Sequence, residues 1–160
     1  VVQLWEPPDV QLQTLLRQPF RNRRNSAKSD YANEHFAEAW WQLRILDVAA
    51  CVSARSWIGS PLEFNLRLTD PAEALLTGSN WRGVAGDYHV RIGDKSEAAS
   101  GHRCGLPLIE GGVNAFSRLW FNVLSATGLA ASGELSMDET LVKQLDEALR
   151  LPKPIFGWEF

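Results

Sequence analysis

The segment Leu62–Thr69 alternates strictly between apolar and polar side chains. Leucine and phenylalanine fill one set of alternate positions, and charged or polar residues fill the other. Because successive side chains of a strand point to opposite faces, this pattern predicts a strand with one buried and one wet face. Such strands are typical of antiparallel sheets and not of doubly wound parallel sheets, whose strands are buried on both faces.

The same period of two recurs elsewhere in the chain. Residues 41–45 and 88–92 each alternate apolar and polar side chains, which predicts two more half-buried strands. Gly93 and Asp94 then predict a hairpin turn into a strand near 97–104. We therefore expect antiparallel pairing across this turn.

Capping residues predict two short helices in the first half of the chain. Asp47 is placed to cap a helix from Val48 to about Arg55. Asp70 is followed by a proline, which suits the first turn of a helix, and by a glutamate that completes a capping box. These signals predict a short helix that runs through Leu76.

The second half of the chain changes to helical spacing. Apolar residues between 113 and 124 recur at intervals of three and four, which predicts a helix with one apolar face. The preceding pair Gly111-Gly112 is interpreted as a turn. Ser136 and Glu139 form a capping box that opens a final helix, which Pro152 ends.

Helices and strands thus follow one another without a regular βαβ rhythm, which favours the α+β class. We predict a curved, mainly antiparallel sheet of about five strands, covered by helices on one face. Residues 1–160 are expected to form a single domain. Within it, residues 1–40 are predicted to be an N-terminal extension, with a polar and partly mobile loop at about 20–40.

Composition excludes several classes of protein. The 160 residues carry a net charge of −3, so the chain as a whole offers no basic surface for nucleic acid. No apolar run approaches the roughly 20 residues that cross a bilayer, and no export signal is visible. Two widely spaced cysteines predict reduced thiols in a cytoplasmic protein. The first residue, Val1, indicates a processed chain or a piece of a longer one.

The sequence contains few candidates for chemistry. It has no phosphate-binding loop, dinucleotide fingerprint or zinc-protease motif, and no cofactor is predicted. His102 and Cys104 would need Cys51 and His89 beside them to hold zinc, so no metal is predicted. We expect Cys104 to lie on a strand and to pack there as a small apolar side chain. One local basic cluster is interpreted as a solvated loop; its members are Arg17, Arg21, Arg23, Arg24 and Lys28.

Five segments occur in an order typical of one protein family. They are VQLWEPPDVQLQTLLRQP, WWQLRILDVAACVSARSW, FNLRLTD, DYHVRIGD and NAFSRLWFNVLSATGLAASGELS. Together they resemble the sterol-carrier-like C-terminal domain of acetyltransferases of the enhanced-intracellular-survival type. The resemblance implies an α+β fold with a five-stranded sheet and, in stand-alone relatives, a tunnel for lipids. In the acetyltransferases it implies an N-terminal GNAT domain that carries acetyl-CoA and receives the terminal carboxylate, here that of Phe160.

Three functions are consistent with these observations. The first is a sterol-carrier-like module that holds a lipid or other apolar ligand between sheet and helices. The predicted lining residues, which would equally form a solid core, are Phe64, Leu66, Tyr88, Val90, Phe116, Trp120 and Leu129. The second is an accessory domain that supplies the Phe160 carboxylate to a separate GNAT domain. The third is a structural domain that associates with copies of itself. On its own, the chain is expected not to be an enzyme.

Overall fold

A computed structural model describes residues 43–152 of the chain, which lie in one compact unit, Leu43–Pro154. The strands are β1 (Leu62–Thr69), β2 (Gly86–Ile92), β3 (Glu97–Ser100), β4 (Leu108–Gly112) and β5 (Leu135–Ser136). The helices are α1 (Val48–Ser53), the 3-10 helix Pro71–Leu75, α2 (Val113–Trp120), α3 (Ala126–Ala131) and α4 (Glu139–Ala148). The predictions for residues 1–40, the basic cluster and Phe160 fall outside the described residues.

The five strands form one sheet in the order β3-β2-β1-β4-β5. Strand β1 lies at the centre, antiparallel to β2 and parallel to β4, and the two outer pairs are antiparallel. The predicted α+β class and the mainly antiparallel five-stranded sheet are therefore confirmed. The predicted bounds of β1 are confirmed residue for residue, as is the hairpin that joins β2 to β3.

One face of the sheet and the apolar stripes of the helices form a single core. The inward-facing side chains of Phe64, Val90 and Ile109 have no solvent exposure. Helix α4 buries the predicted stripe, which includes Leu141 and Leu145. Close packing of this kind excludes water from the whole inner face, so the polar residues of the strands collect on the outer face.

The predicted strand over 41–45 is wrong for its described part, because residues 43–45 have no ladder partner. Side chains hold this segment instead. The backbone N–H of Ile45 donates to Ser117 Oγ at 3.0 Å. The Arg44 guanidinium pairs with the carboxylate of Asp70. Ile45 is buried and Leu43 is exposed, whereas a strand would place both side chains on the same face.

The interpretation of Gly111-Gly112 as a turn is also wrong, because both residues belong to β4. A Cβ on Gly111 would lie 2.5 Å from Leu135 Cδ2 and 2.7 Å from the carbonyl oxygen of Glu134. The glycine therefore allows β5 to approach closely, which is a known use of glycine within strands. Strand β3 ends at Ser100 and not near residue 104, since Gly101 turns the chain with a φ of +119°.

The predicted helix over 113–124 ends early, at Trp120. Asn122 adopts a left-handed conformation with a φ of +53°, which asparagine tolerates better than most residues. A separate helix, α3, then begins after Ser125, whose side chain accepts from the N–H of Gly128. The final helix is likewise capped by Asp138 and not by Ser136, which belongs to β5.

Asn65 contradicts the prediction that every polar residue of β1 faces water, because it is only 1% exposed. Its amide nitrogen donates to the carbonyl oxygens of Arg103 at 2.9 Å and Leu106 at 3.3 Å. Its amide oxygen accepts from the N–H of Arg103 at 2.8 Å. The connection from β3 to β4 thus crosses the outer face of the sheet and is fixed there by one side chain.

We expect Asn65→Ala to lower the free energy of unfolding by about 2 kcal/mol, because it leaves backbone groups of the crossing segment without partners. Urea denaturation at pH 7 measures this loss. Asn80→Ala, which removes an exposed amide outside the sheet, is the control and should change the value by less than about 0.5 kcal/mol. Equal losses in the two variants would contradict this role of Asn65.

Candidate functional site

An open cleft of about 780 Å³ lies at the carboxyl ends of β1 and β4. These two strands are parallel, so their ends meet at one edge of the sheet. The start of α2 and the 3-10 helix form its walls. It is lined by Arg67, Leu68, Thr69, Asp70, Pro71, Glu73, Ala85, Gly86, Asp87, Gly112, Val113 and Asn114.

Asp70 is the buried carboxylate of this cleft. It accepts hydrogen bonds from the guanidinium of Arg44, from the N–H of Ala72 at 2.9 Å and from the N–H of Val84 at 3.0 Å. Burial alone would raise the pKa of Asp70, but these donors stabilise the carboxylate more strongly and hold its pKa below the ordinary 3.8. Asp70 is therefore charged at neutral pH.

Arg67 and Asp87 form an ion pair at the mouth of the cleft. They are register partners on β1 and β2, and Arg67 Nε lies 2.8 Å from Asp87 Oδ1. Both side chains are nearly half exposed. The hydrogen bond to Asp87, together with its charge, raises the pKa of Arg67 above its usual range. The pair therefore presents both signs of charge to any ligand that enters.

Helix α2 begins at the floor of the cleft. Its N-cap residue, Gly112, has no side chain to accept from the first turn of the helix. Thr69 Oγ1 donates to the carbonyl oxygen of Gly111 at 3.4 Å, which ties the ends of β1 and β4 together. Glu73 and Asn114 also lie at the wall, so charged and polar side chains contribute to the lining of the cleft.

A second cleft of about 270 Å³ lies between α3, α4 and the end of α2. Asp146 accepts there from the N–H groups of Ala126 and Thr127 and from Thr127 Oγ1 at 2.6 Å. The amide of Asn122 donates to the carbonyl oxygen of Leu151. These bonds cap α3 and fix the end of α4, so Asp146 and Asn122 already have structural partners.

The seven residues predicted to line an apolar cavity lie together in or against the main core. Six are at most 3% exposed: Phe64, Leu66, Val90, Phe116, Trp120 and Leu129. Tyr88 is half-buried, and its hydroxyl donates to the carbonyl oxygen of Val84 at 3.0 Å; burial raises the pKa of this hydroxyl. None of the seven lines either of the two clefts. A role in ligand binding stays a prediction for them.

The histidines and cysteines considered for zinc are engaged separately. His89 Nε2 lies 3.3 Å from Glu63 Oε2, and His102 Nε2 lies 3.5 Å from Asn65 Nδ2. Cys51 is half-buried, and desolvation raises the pKa of its thiol. Among residues 43–152, no three potential ligands gather to hold a metal ion. The expected strand packing of Cys104 is wrong, since this residue is exposed beyond β3.

The sequence pattern does not indicate the charged residues of the larger cleft. Alternation places Arg67 on the outer face of β1, but only the pairing register places Asp87 beside it. Asp70 was predicted as a helix cap, and its N-cap bond to Ala72 is confirmed. Its bond to Arg44 joins residues 26 positions apart, and no local pattern signals such a contact.

No protein-family model and no curated protein matches this sequence. Solved structures do match. A GCN5-related N-acetyltransferase from Anabaena variabilis is 19% identical, with a TM-score of 0.56 over 69% of this chain and 26% of that one. One from Kribbella flavida is 22% identical, with a TM-score of 0.54 over the same shares.

A third structure is a conserved Enterococcus faecalis protein of unknown function, described as a probable N-acyltransferase. It is 17% identical, with a TM-score of 0.58 over 73% of this chain and 28% of that one. The chain therefore shares its fold with about a quarter of the length of each of these proteins. In the part of the chain that the structure describes, no helix is long and apolar enough to span a membrane.

These matches correct one prediction and support another in part. The expectation that the chain is not an enzyme is wrong, because the structures that share its fold are N-acetyltransferases. The predicted resemblance is supported in its acetyltransferase part. None of the three structures is described as a sterol-carrier protein, so the comparisons give no support to lipid binding.

Asp70→Asn should lower the free energy of unfolding at pH 7 by about 2–3 kcal/mol, because it removes the charge that Arg44 and two N–H groups stabilise. Since the pKa of folded Asp70 is below its ordinary 3.8, this contribution is complete above that value. It is lost as the pH falls through the folded pKa. Urea denaturation at pH 7 and pH 3 measures the difference between the two proteins.

The difference between wild type and Asp70→Asn should therefore shrink in acid. Asp94→Asn, which changes an exposed carboxylate in the β2–β3 turn, is the control and should have little effect at either pH. A difference that stays constant from pH 7 to pH 3 would rule out the charge of Asp70 as its cause.

Proposed function

We propose that this chain is part of a GNAT-type N-acetyltransferase, in which it forms the domain that accompanies the acetyl-CoA-binding domain. The observation that carries the proposal is the shared fold with two GCN5-related N-acetyltransferases over 69% of this chain. The order of sequence segments from residue 2 to residue 136 supports the same assignment. The protein then takes part in transfer of an acetyl group from acetyl-CoA to an amine nitrogen.

The described residues do not form a binding site for acetyl-CoA. A pyrophosphate group needs a loop whose free backbone N–H groups surround it, usually at the start of a helix. Within residues 43–152 the only glycine pair before a helix is Gly111-Gly112, and it lies within β4, with Leu135 packed where a Gly111 side chain would be. We therefore assign acetyl-CoA binding to a part of the enzyme outside the described residues.

Two contributions of this chain are proposed. The resemblance assigns the carboxylate of Phe160 to the active site of the GNAT domain. The larger cleft would receive the polar part of the amine substrate. A primary amine is cationic at neutral pH. Two carboxylates of the cleft are paired, Asp70 with Arg44 and Asp87 with Arg67, and the carboxylate of Glu73 leaves an excess of one negative charge.

We expect the protein expressed from its complete reading frame to release CoA from acetyl-CoA only when a primary amine is present. A thiol-reactive dye measures the release across a panel of mono- and polyamines. One glycine added after Phe160 displaces the carboxylate by about 3.5 Å and should lower kcat by about 100-fold. Absence of amine-dependent release with every amine would contradict the function, whereas full activity of the extended protein would contradict only the role of Phe160.

Charge changes at the mouth of the cleft should act in opposite directions. Asp87→Asn leaves Arg67 unpaired and should raise KM for a diamine about two- to fivefold, while Arg67→Gln should lower it by a similar factor. Neither should change kcat. The control is Glu139→Gln, which breaks an exposed ion pair with Lys143 on α4. If both cleft variants change KM in the same direction, or neither does, the substrate does not bind there.

A further inference from the structure

Arg67 has an acidic neighbour on each side of the central strand. It is the register partner of Asp87 on β2 and of Glu110 on β4. Register partners share one face of a sheet, and here all three side chains are exposed on the outer face. Neighbouring strands lie about 5 Å apart, so one arginine side chain can reach either carboxylate. Two carboxylates therefore share one guanidinium.

The guanidinium lies at Asp87. Its Nε is 2.8 Å from Asp87 Oδ1, whereas the carboxylate of Glu110 makes no hydrogen bond or ion pair among residues 43–152. Glu110 nevertheless acts on Arg67 through its charge. The hydrogen bond to Asp87 and the charge of Asp87 raise the pKa of Arg67 most, and the charge of Glu110 adds to this rise. Glu110 is thus a second carboxylate available to the same guanidinium.

The positions around Glu110 offer it no other cation. Its register partner on the far side, in β5, is Ser136. His89, the next outward residue of β2 after Asp87, lies 3.3 Å from Glu63. The outward positions that flank the pair along β1 and β4 are uncharged: Asn65, Thr69, Leu108 and Gly112. Arg67 is therefore the cation that the sheet places beside Glu110.

The two carboxylates differ in their access to the cleft. Asp87 and Arg67 line it, and Glu110 does not. A cation that enters the cleft meets Asp87 with the guanidinium already bound, and the two compete for one carboxylate. A displaced guanidinium that turned to water would lose its ion pair, but one that turned to Glu110 would keep a carboxylate as partner.

We propose that the guanidinium of Arg67 leaves Asp87 for Glu110 when the ammonium group of the substrate binds to Asp87. The inference rests on the proposed function, because the substrate amine is the group that displaces Arg67. The exchange pairs both carboxylates, Asp87 with the ammonium and Glu110 with the guanidinium. A neutral ligand cannot replace the guanidinium at Asp87, so the exchange selects cationic substrates. Glu110 is a positioning residue that acts through Arg67 and does not touch the substrate.

Kinetics of the protein expressed from its complete reading frame test the role of Glu110. Glu110→Gln should raise KM for putrescine about threefold and leave kcat unchanged, because the displaced guanidinium finds no second carboxylate. Glu110→Asp keeps the charge and should keep KM close to that of the wild type. The control is Glu97→Gln, which removes another exposed carboxylate from the outer face. An unchanged KM in Glu110→Gln, or an equal rise in Glu97→Gln, overturns the proposal.

A double variant separates the exchange from simple attraction between Glu110 and the substrate. Attraction does not need Arg67, so Glu110→Gln would then raise KM in the Arg67→Gln background as well. The exchange does need Arg67, so Glu110→Gln should change KM in that background by less than about 1.5-fold. A rise as large as in the wild-type background overturns the proposal.

A crystal structure of Asp87→Lys tests the exchange without substrate. The new ammonium lies beside Arg67, as that of the bound substrate would. We expect the guanidinium within about 4 Å of the Glu110 carboxylate, and a guanidinium that turns to Glu73 or to solvent overturns the proposal. If no amine is acetylated, the proposed function fails, and this structure still decides whether Arg67 has two positions. If amines are acetylated and KM does not depend on Glu110, only the exchange fails.

Discussion

The carboxylate of Asp70 is the contact on which the shape of the candidate site depends. A buried charge is tolerated only when it is paired and hydrogen-bonded. Asp70 meets this requirement by binding the segment before α1 through Arg44, its own helix through Ala72, and the segment before β2 through Val84. Three stretches that are distant in sequence are thereby fixed around the carboxyl end of β1. These connections therefore meet around a carboxylate that lines the cleft.

Sequence periodicity predicts well where a single buried face dictates the pattern. Strand β1, strand β2 and helix α4 each present one apolar stripe to the core, and each lies where alternation or helical spacing places it. Capping chemistry is equally local, so the bond between Asp47 and the N–H of Ala50 could be expected from the sequence. The fold class followed from these elements and did not require the pairing order of the strands.

The errors share a physical origin in contacts between distant residues. The sequence pattern places Ile45 in a strand, but its N–H donates to the hydroxyl of Ser117, which lies 72 positions away. Gly111 resembles a turn residue but is a strand residue, since β5 approaches too closely for any side chain. The alternation of β1 predicts that Asn65 is exposed to solvent, but the segment between β3 and β4 crosses over it and binds its side chain. A single sequence contains no signal for such partners.

The candidate site shows the same division between local and distant information. The aromatic and aliphatic residues expected to enclose a ligand lie at correct strand and helix spacings, but those spacings describe a core equally well. Phe116 and Trp120 pack with ring centroids 5.9 Å apart, and the guanidinium of Arg55 lies 5.3 Å from the Trp120 ring. Since the inner face of the sheet is filled in this way, the described surfaces left for contact with other molecules are the cleft, the outer face and three exposed apolar side chains, those of Leu46, Ile58 and Leu75. A contribution of residues 43–152 to an acetyltransferase would be made from these surfaces.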